Sequence, residues 1–462
     1  MSRKSISRKV EGTSIVLLAV AVLLFGSAGS LFAETPAVVL EVGADTPVVM
    51  ARSESDSEKT SIVTVRALLR PEKKGSRSRP PLAVAVVIDK SGSMGSGGKM
   101  RNAKLGALEA LRLLDERDRA ALVIYDSSAR VLVPARPAGD MRRFERALSR
   151  VQADGNTALW SGVSLGIEEI VSLTEDGYVP RIVLLSDGLA NVGPSSPRDL
   201  ARLGRSAAEQ EVTITTIGLG LDYDEDLMTA LASESGGNAY FAKDPASLAD
   251  IFKRDMKDAV ALTGRRLKVT FSCEGGTKPV RLVGRSGRTS GAIIETEIEN
   301  LYGNEKYALF ELEIPKGEDG TRFRAGTMSV EYIDAASGAP ITLKAPLEIA
   351  CTAKMEEVAQ KRDSDIASQV EMAKNAEIRD EAVRLADAGQ AQAAADLLRE
   401  RSQYLSEMAP TAAAPEAMRE EISDFEGMAL YMTENGTMSN EQRKATRNKA
   451  YRTKNQQSGE DD

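Results

Sequence analysis

The sequence predicts an α/β fold class: a doubly wound, mostly parallel sheet, an additional β-sandwich domain and a C-terminal α-helical region. Three observations lead there. Leu82-Ala83-Val84-Ala85-Val86-Val87-Ile88 is an unbroken apolar run, and Arg181-Ile182-Val183-Leu184-Leu185-Ser186 is a second, largely apolar one. Runs of this kind between turn residues read as strands buried on both faces, as in a parallel sheet. Between residues 80 and 262 such strands alternate with segments of helical period. Beyond Gly264 the period falls to two, and from Lys354 the composition turns to Ala, Glu, Gln and Arg.

Taken in order, residues 34–79 are strand-like, most clearly at 61–69, and 71–80 is a basic, turn-rich linker. These strands have no partners of their own. Assigned to the sandwich, they make the α/β domain of 80–262 an insertion; otherwise that domain precedes the sandwich. In that domain Leu105, Leu108, Leu111 and Leu114 give 99–115 a helical face. Strand 120–125 is followed by a hairpin partner at 129–133. Helices are expected at 140–151, 157–173, 197–210, 222–235 and 245–262, and strands at 212–217 and 239–241. Ile217-Gly218-Leu219-Gly220 lacks the third glycine of a dinucleotide loop, so it reads as a strand-end turn.

In the sandwich, 263–352, Leu267, Val269, Phe271 and Cys273 alternate with polar residues. Residues 353–432 read as two helices broken at Gly389 and a short third one at 416–432. The last segment, 433–462, is polar and expected to be a disordered charged tail. Its Arg443, Lys444, Arg447, Lys449, Arg452 and Lys454 are read as a solvated basic run.

Composition bounds the function. The 462 residues are enough for two or three domains. A net charge of −8 argues against nucleic acid as a partner. The sequence holds no His, which removes His-based triads and His metal ligands. Residues 1–33 combine a basic start (Arg3, Lys4, Arg8, Lys9), the apolar run 15–25 and Leu31-Phe32-Ala33. That is the pattern of a signal peptide or an N-terminal anchor, with membrane association through the segment if it stays uncleaved. Either form places the rest of the chain outside the cytoplasm: periplasmic, in the cell envelope or extracellular. Cys273 and Cys351 are the two cysteines. A disulfide and a pair of free thiols both remain open.

The segment Asp89-Lys90-Ser91-Gly92-Ser93 follows the first apolar run and sets a carboxylate and two hydroxyls at alternate positions. Asp154-Gly155-Asn156-Thr157-Ala158-Leu159 and the run ending at Ser186-Asp187-Gly188 come later. Each residue alone has an ordinary explanation: Asp and Ser form turns, Asp187-Gly188 is a turn dipeptide, and Thr157 could cap a helix. Together, in this order, the three segments resemble the metal-ion-dependent adhesion site of the von Willebrand factor type A domain, a Rossmann-like fold. The resemblance covers about residues 80–262 and is to the exported bacterial type, since Gly236-Gly237-Asn238-Ala239-Tyr240-Phe241 resembles a common ending of bacterial type A domains. It implies Asp89, Ser91, Ser93, Thr157 and Asp187 as ligands of Mg²⁺, or of Mn²⁺ or Ca²⁺, and a partner protein that supplies a carboxylate to the ion. Asn156 stands where glycine is more usual. Trp160 either flanks this face or covers the core.

The implied function is divalent-cation-dependent protein binding, not catalysis. Two other classes are carried beside it. One is an envelope assembly or structural protein working through its helical C-terminal region. The other is a metal-dependent hydrolase, against which stand the missing His and the lack of a second carboxylate cluster to position water.

Overall fold

The computed structural model describes residues 17–18, 20–21, 36–53, 59–72, 80–187, 190–220, 223–242 and 245–457. The expected export segment therefore lies outside the described residues, except for two-residue strands at Leu17–Leu18 (β1) and Val20–Ala21 (β2). Three further strands follow before the α/β unit: β3 (Val38–Ala44), β4 (Val48–Met50) and β5 (Thr60–Pro71).

The α/β unit runs β6 (Leu82–Asp89), α1 (Lys99–Arg112), β7 (Arg119–Tyr125), β8 (Ala129–Pro137), α2 (Met141–Ser149) and α3 (Leu159–Ile170). It continues with β9 (Val179–Ser186), α4 (Pro197–Glu209), β10 (Thr213–Leu219), α5 (Glu225–Glu234), β11 (Ala239–Ala242) and α6 (Pro245–Val260). Its sheet has the order β11-β10-β9-β6-β7-β8, parallel except for β8. Every residue of β6 is buried. Leu82, Val84, Val86 and Ile88 pack with α1, α2 and α6, whereas Ala83, Ala85 and Val87 pack with α3, α4 and α5. Helices on both faces explain why the strand carries no polar alternation. Successive connections leave β6 in opposite directions, towards β7 and towards β9. The crevice at such a switch point is where open α/β sheets bind ligands.

After α6 come β12 (Gly264–Cys273), β13 (Lys278–Val283), β14 (Arg288–Ser290), β15 (Ile293–Leu301), β16 (Lys306–Pro315), β17 (Arg322–Asp334) and β18 (Pro340–Thr352). They complete two sheets of orders β1-β3-β5-β16-β13 and β14-β15-β12-β17-β18-β2, with β4 added in parallel on β18. Strand β5 pairs antiparallel with β16 over ten residues, from Lys306↔Leu69 to Pro315↔Thr60. Strands on either side of the α/β unit in sequence thus share one core, around Leu40, Val65, Phe271, Phe310 and Met328. The α/β unit is inserted between β5 and β12. Cys273 and Cys351 are both free thiols, and Cys351 Sγ accepts a hydrogen bond from Gly317 N at 3.2 Å.

The helical region comprises α7 (Met355–Lys361), α8 (Ser364–Asp387), α9 (Ala391–Met408), α10 (Pro415–Asn435) and α11 (Asn440–Asn455). Ile366, Val370 and Ala373 of α8 pack on Val283 and Leu309 of the sandwich. The tail expected to be disordered is instead helical through α11, opened by a capping box between Ser439 and Gln442. The basic run is also not solvated. Arg443 bonds Glu225, Asp226 and Asp387, Lys444 bonds Glu225, and Arg447 bonds Asp380. Tyr451 of α11 is buried against Ala232 and Ala239, and its hydroxyl donates to Gly237 O at 2.8 Å. The physical reason is tertiary: the carboxylates that neutralise the run lie more than 200 residues away on α5, or on α8.

Two outcomes follow from this packing. Glu225 is 4% exposed and takes Lys444 Nζ at 2.6 Å. Glu225→Ala leaves Lys444 buried without its carboxylate, at a cost of about 3 kcal/mol. Hydrogen exchange across 440–457 should accelerate in that variant while β6 and β9 remain protected. Asp258 on α6 is held up to about 6 by burial and by the neighbouring Asp255 carboxylate. Its folded form keeps a proton that the unfolded chain has already lost, so its contribution to stability is full below about pH 4 and is lost as pH rises through about 6. Urea midpoints of the wild type should fall over that window relative to Asp258→Asn.

Candidate functional site

The site begins with the strand register. Asp89, the last residue of β6, lies level with Tyr125 of β7, and Ile88 lies level with Leu185 of β9, which sets Ser186 beside Asp89. Asp89 Oδ2 accepts from the Ser186 hydroxyl at 2.7 Å and from the Tyr125 hydroxyl at 3.3 Å. Its Oδ1 accepts from Ser91 N at 2.8 Å. Burial pushes the Asp89 carboxyl above its ordinary range, hydrogen bonds from Ser91 and Ser186 pull it back, and the charge of Asp187 adds to the rise.

From Asp89 the network runs outward. Ser91 Oγ and Ser93 Oγ are 3.1 Å apart, and Ser93 Oγ donates to Asp187 Oδ1 at 2.8 Å. Asp187 is buried, and its Oδ2 receives Lys99 Nζ, from the first residue of α1, at 2.7 Å. Asp89, Ser91 and Asp187 are buried, whereas Ser93 is exposed, so the cluster opens to solvent at Ser93.

The Thr157 segment is laced to the same loops. Gly92 N donates to Gly155 O at 3.0 Å, and Asp154 N to Lys90 O at 2.7 Å. Thr157 N donates to Asn191 Oδ1 at 2.8 Å, and Asn191 N returns to Thr157 O at 3.1 Å. Gly155 has φ +81°, and a Cβ there would come within 3.1 Å of Asp126 and Ser127, so only glycine suits the position. The left-handed residue of this segment is Gly155, and the next residue, Asn156, donates from its N to Ser127 Oγ at 3.0 Å. Thr157 does not cap α3, since Ala158 occupies the N-cap position. Thr157 is 3% exposed, and its backbone is held from both sides by Asn191. Trp160 is half-buried and packs on the core beneath α3.

Direct hydrogen bonds therefore join Asp89, Ser91, Ser93 and Asp187, and Asn191 ties the Thr157 backbone to the loop after Asp187. Two carboxylates and three hydroxyls offer an all-oxygen set of the kind a hard divalent cation takes, with no nitrogen or sulfur donor among them. Among the described residues no cluster of three or more His, Cys, Asp or Glu offers an alternative. Sequence reasoning missed Lys99, Tyr125 and Ser186. Ser186 lies inside a quoted segment and was readable as a neighbour of Asp187; no spacing singles out Lys99 or Tyr125.

Residues 83–254 match the family model of the von Willebrand factor type A domain. The α/β unit has the fold of a von Willebrand factor type A domain. An uncharacterized protein of Synechocystis sp., sll0103, is 28% identical over 282 residues, which are 59% of this chain and 66% of that protein. The chain thus spans a little under two thirds of that relative. Among solved structures, a von Willebrand factor type A protein from Catenulispora acidiphila has a TM-score of 0.64 at 17% identity, covering 87% of this chain and 97% of the other. The ArnB paralog VWA2 from Sulfolobus acidocaldarius has a TM-score of 0.58 at 18% identity, covering 90% and 98%. At these identities the likeness is one of fold, and it reaches well beyond the type A domain. Type A domains often mediate protein interactions and commonly bind a divalent metal at the strand-end site.

Lys99 is the cation that the site already contains. Replacing it by Met leaves Asp187 buried and unpaired, and urea unfolding without divalent cation should show a loss of about 3 kcal/mol.

Proposed function

We propose that this protein binds other proteins in a divalent-cation-dependent manner, in the cell envelope or outside the cell. The observation that carries the reading is the convergence of Asp89, Ser91, Ser93 and Asp187 at the switch point of the sheet, with Thr157 on a neighbouring, hydrogen-bonded loop. In this reading Ser91, Ser93 and Thr157 offer neutral oxygens, and Asp89 and Asp187 supply the negative charge. Mg²⁺ is the favoured ion, with Mn²⁺ and Ca²⁺ able to use the same oxygens. When bound, the ion supplies a positively charged acceptor for a carboxylate oxygen of the partner. Lys99 steadies Asp187 from behind, and Tyr125 and Ser186 steady Asp89. With both carboxylates committed in this way and no His in the sequence, the arrangement suits capture of a ligand better than proton transfer.

Export through residues 1–33 belongs to the same proposal. No helix among the described residues is long and apolar enough to cross a membrane. An assembly role carried by the helical region alone has less support, because α8 and α11 spend their buried faces on the sandwich and on the type A domain.

The test uses the full chain immobilised against envelope extract, in Mg²⁺ and in chelator. Retention of a partner should need Mg²⁺, and Asp89→Asn or Asp187→Asn should weaken cation affinity about 10–100-fold while far-ultraviolet circular dichroism is unchanged. Equal retention in Mg²⁺ and chelator would sink the reading.

A further inference from the structure

The type A domain, the sandwich and the helical region meet around a cleft of about 1310 Å³. Most of the charged side chains on its walls are neutralised by a neighbour. Arg447 and Lys454 share Asp380, Arg205 pairs with Glu234, and Lys268 pairs with Glu295. Two basic residues break the pattern. Arg285, just after β13, and Lys306, the first residue of β16, both line the cleft, and neither has a carboxylate within ion-pair distance among the described residues.

Their direct contacts are with neutral groups. Arg285 Nη2 donates to Gln456 Oε1 at 2.9 Å, while its Nε is buried without a partner. The Lys306 ammonium has no hydrogen-bond partner among the described residues and stands 5.7 Å from the centre of the Tyr302 ring. Burial and the nearby Arg285 charge push Lys306 down to about 7, with Asp258 pulling weakly the other way. Burial pushes Arg285 down to about 10. Two like charges held near each other and partly shielded from bulk water are costly unless something of opposite charge compensates them.

The arrangement is also braced. Gly284, at φ +74°, turns the chain immediately before Arg285, donates from its N to Glu377 Oε1 at 2.7 Å and lies against Ala373 of α8. Gln456, at the end of α11, accepts from both Arg285 and Tyr307 N. The sandwich and the helical region therefore together fix where Arg285 stands.

We propose that this cleft is a binding site for an oxyanion group, a phosphate or a carboxylate of a small solute, held by Arg285 and Lys306. The guanidinium offers a planar, permanently charged set of N–H donors, and the ammonium offers a compact point charge. The cleft has room for an organic body behind the anionic group. The site is separate from the strand-end cluster and does not depend on the function proposed for it.

The test is thermal unfolding of the full chain in cation-free buffer, so that no carboxylate can be captured through a divalent ion. Inorganic phosphate and succinate serve as probes, with chloride at matched ionic strength as reference. A saturable rise of about 2 °C with either probe is expected, and the one that acts identifies the group. The double variant Arg285→Gln, Lys306→Met should melt no lower than the wild type and show no rise. In the wild type the acting anion should slow acylation of Lys306 at least about fivefold relative to the other lysines, read by peptide mass. This second readout decides the matter even if the double variant fails to fold. No saturable shift with either probe beyond chloride, or a Lys306 acylation rate indifferent to both, would overturn the proposal.

Discussion

Everything around the strand-end cluster depends on one constraint: a carboxylate is buried at the end of a strand that has sheet neighbours on both sides and helices on both faces. Asp89 cannot reach bulk water, so its oxygens must be satisfied by what the sheet sets beside it. The register with β7 and β9 provides Tyr125 and Ser186, and the turn that follows provides Ser91 N. A slip of one residue in either pairing would turn these side chains to the opposite face and leave Asp89 unsatisfied. The register that seals the two apolar cores of the type A domain is thus the same one that fixes the site. Gly162 shows how tightly the two are joined, because a Cβ there would come within 2.4 Å of the Tyr125 ring.

A second constraint acts on the scale of the whole chain. The sandwich can close only when β5 finds β16, across an insertion of nearly two hundred residues. The entropy of closing so long a loop grows slowly with its length, so the insertion is tolerated. Its cost falls on folding speed, since pairings this distant form late. Helix α11 returns the C-terminal part of the chain to α5 and β11, so the inserted domain is held both by its connections to the sandwich and by the chain's last helix.

Where a signal was local, the sequence disclosed it. Strands β6 and β9 were legible because burial on both faces leaves an apolar run, and β12 because burial on one face leaves alternation. Asp89, Ser91, Ser93, Thr157 and Asp187 were legible as candidates because three short segments carry them in order. The partners of Asp89 and Asp187 were not. Tyr125 ends an apolar strand and Lys99 opens a helix, and each acquires meaning only through a neighbour some 36 or 88 residues away. The same limit explains α11. Six basic residues in a short polar stretch read as solvated until Glu225, Asp226 and Asp380 are brought to them. Arg181 is a further case: it sits within an apolar run, yet it is a buried cation bound to Asp255 at 2.8 Å.

Contacts run without a break from α11 to the strand-end cluster. Lys444 donates to Glu225 and stands 4.5 Å from the centre of the Tyr223 ring. Tyr223 stacks on Phe241 and fills the space above Gly218, where a Cβ would come within 2.5 Å of its ring. Gly220, two residues on and at φ +78°, lies against the Lys99 stem, and Lys99 holds Asp187. Continuity of this kind is not in itself a switch, which needs an element with two arrangements. What it supplies here is support from behind. The turn after β10 is clamped between a helix from the far end of the chain and the lysine that neutralises the second carboxylate, so the wall of the site is set by tertiary packing and not by the loop's own sequence. A wall held in this way keeps Lys99, and through it the Asp187 carboxylate, in place without help from a ligand.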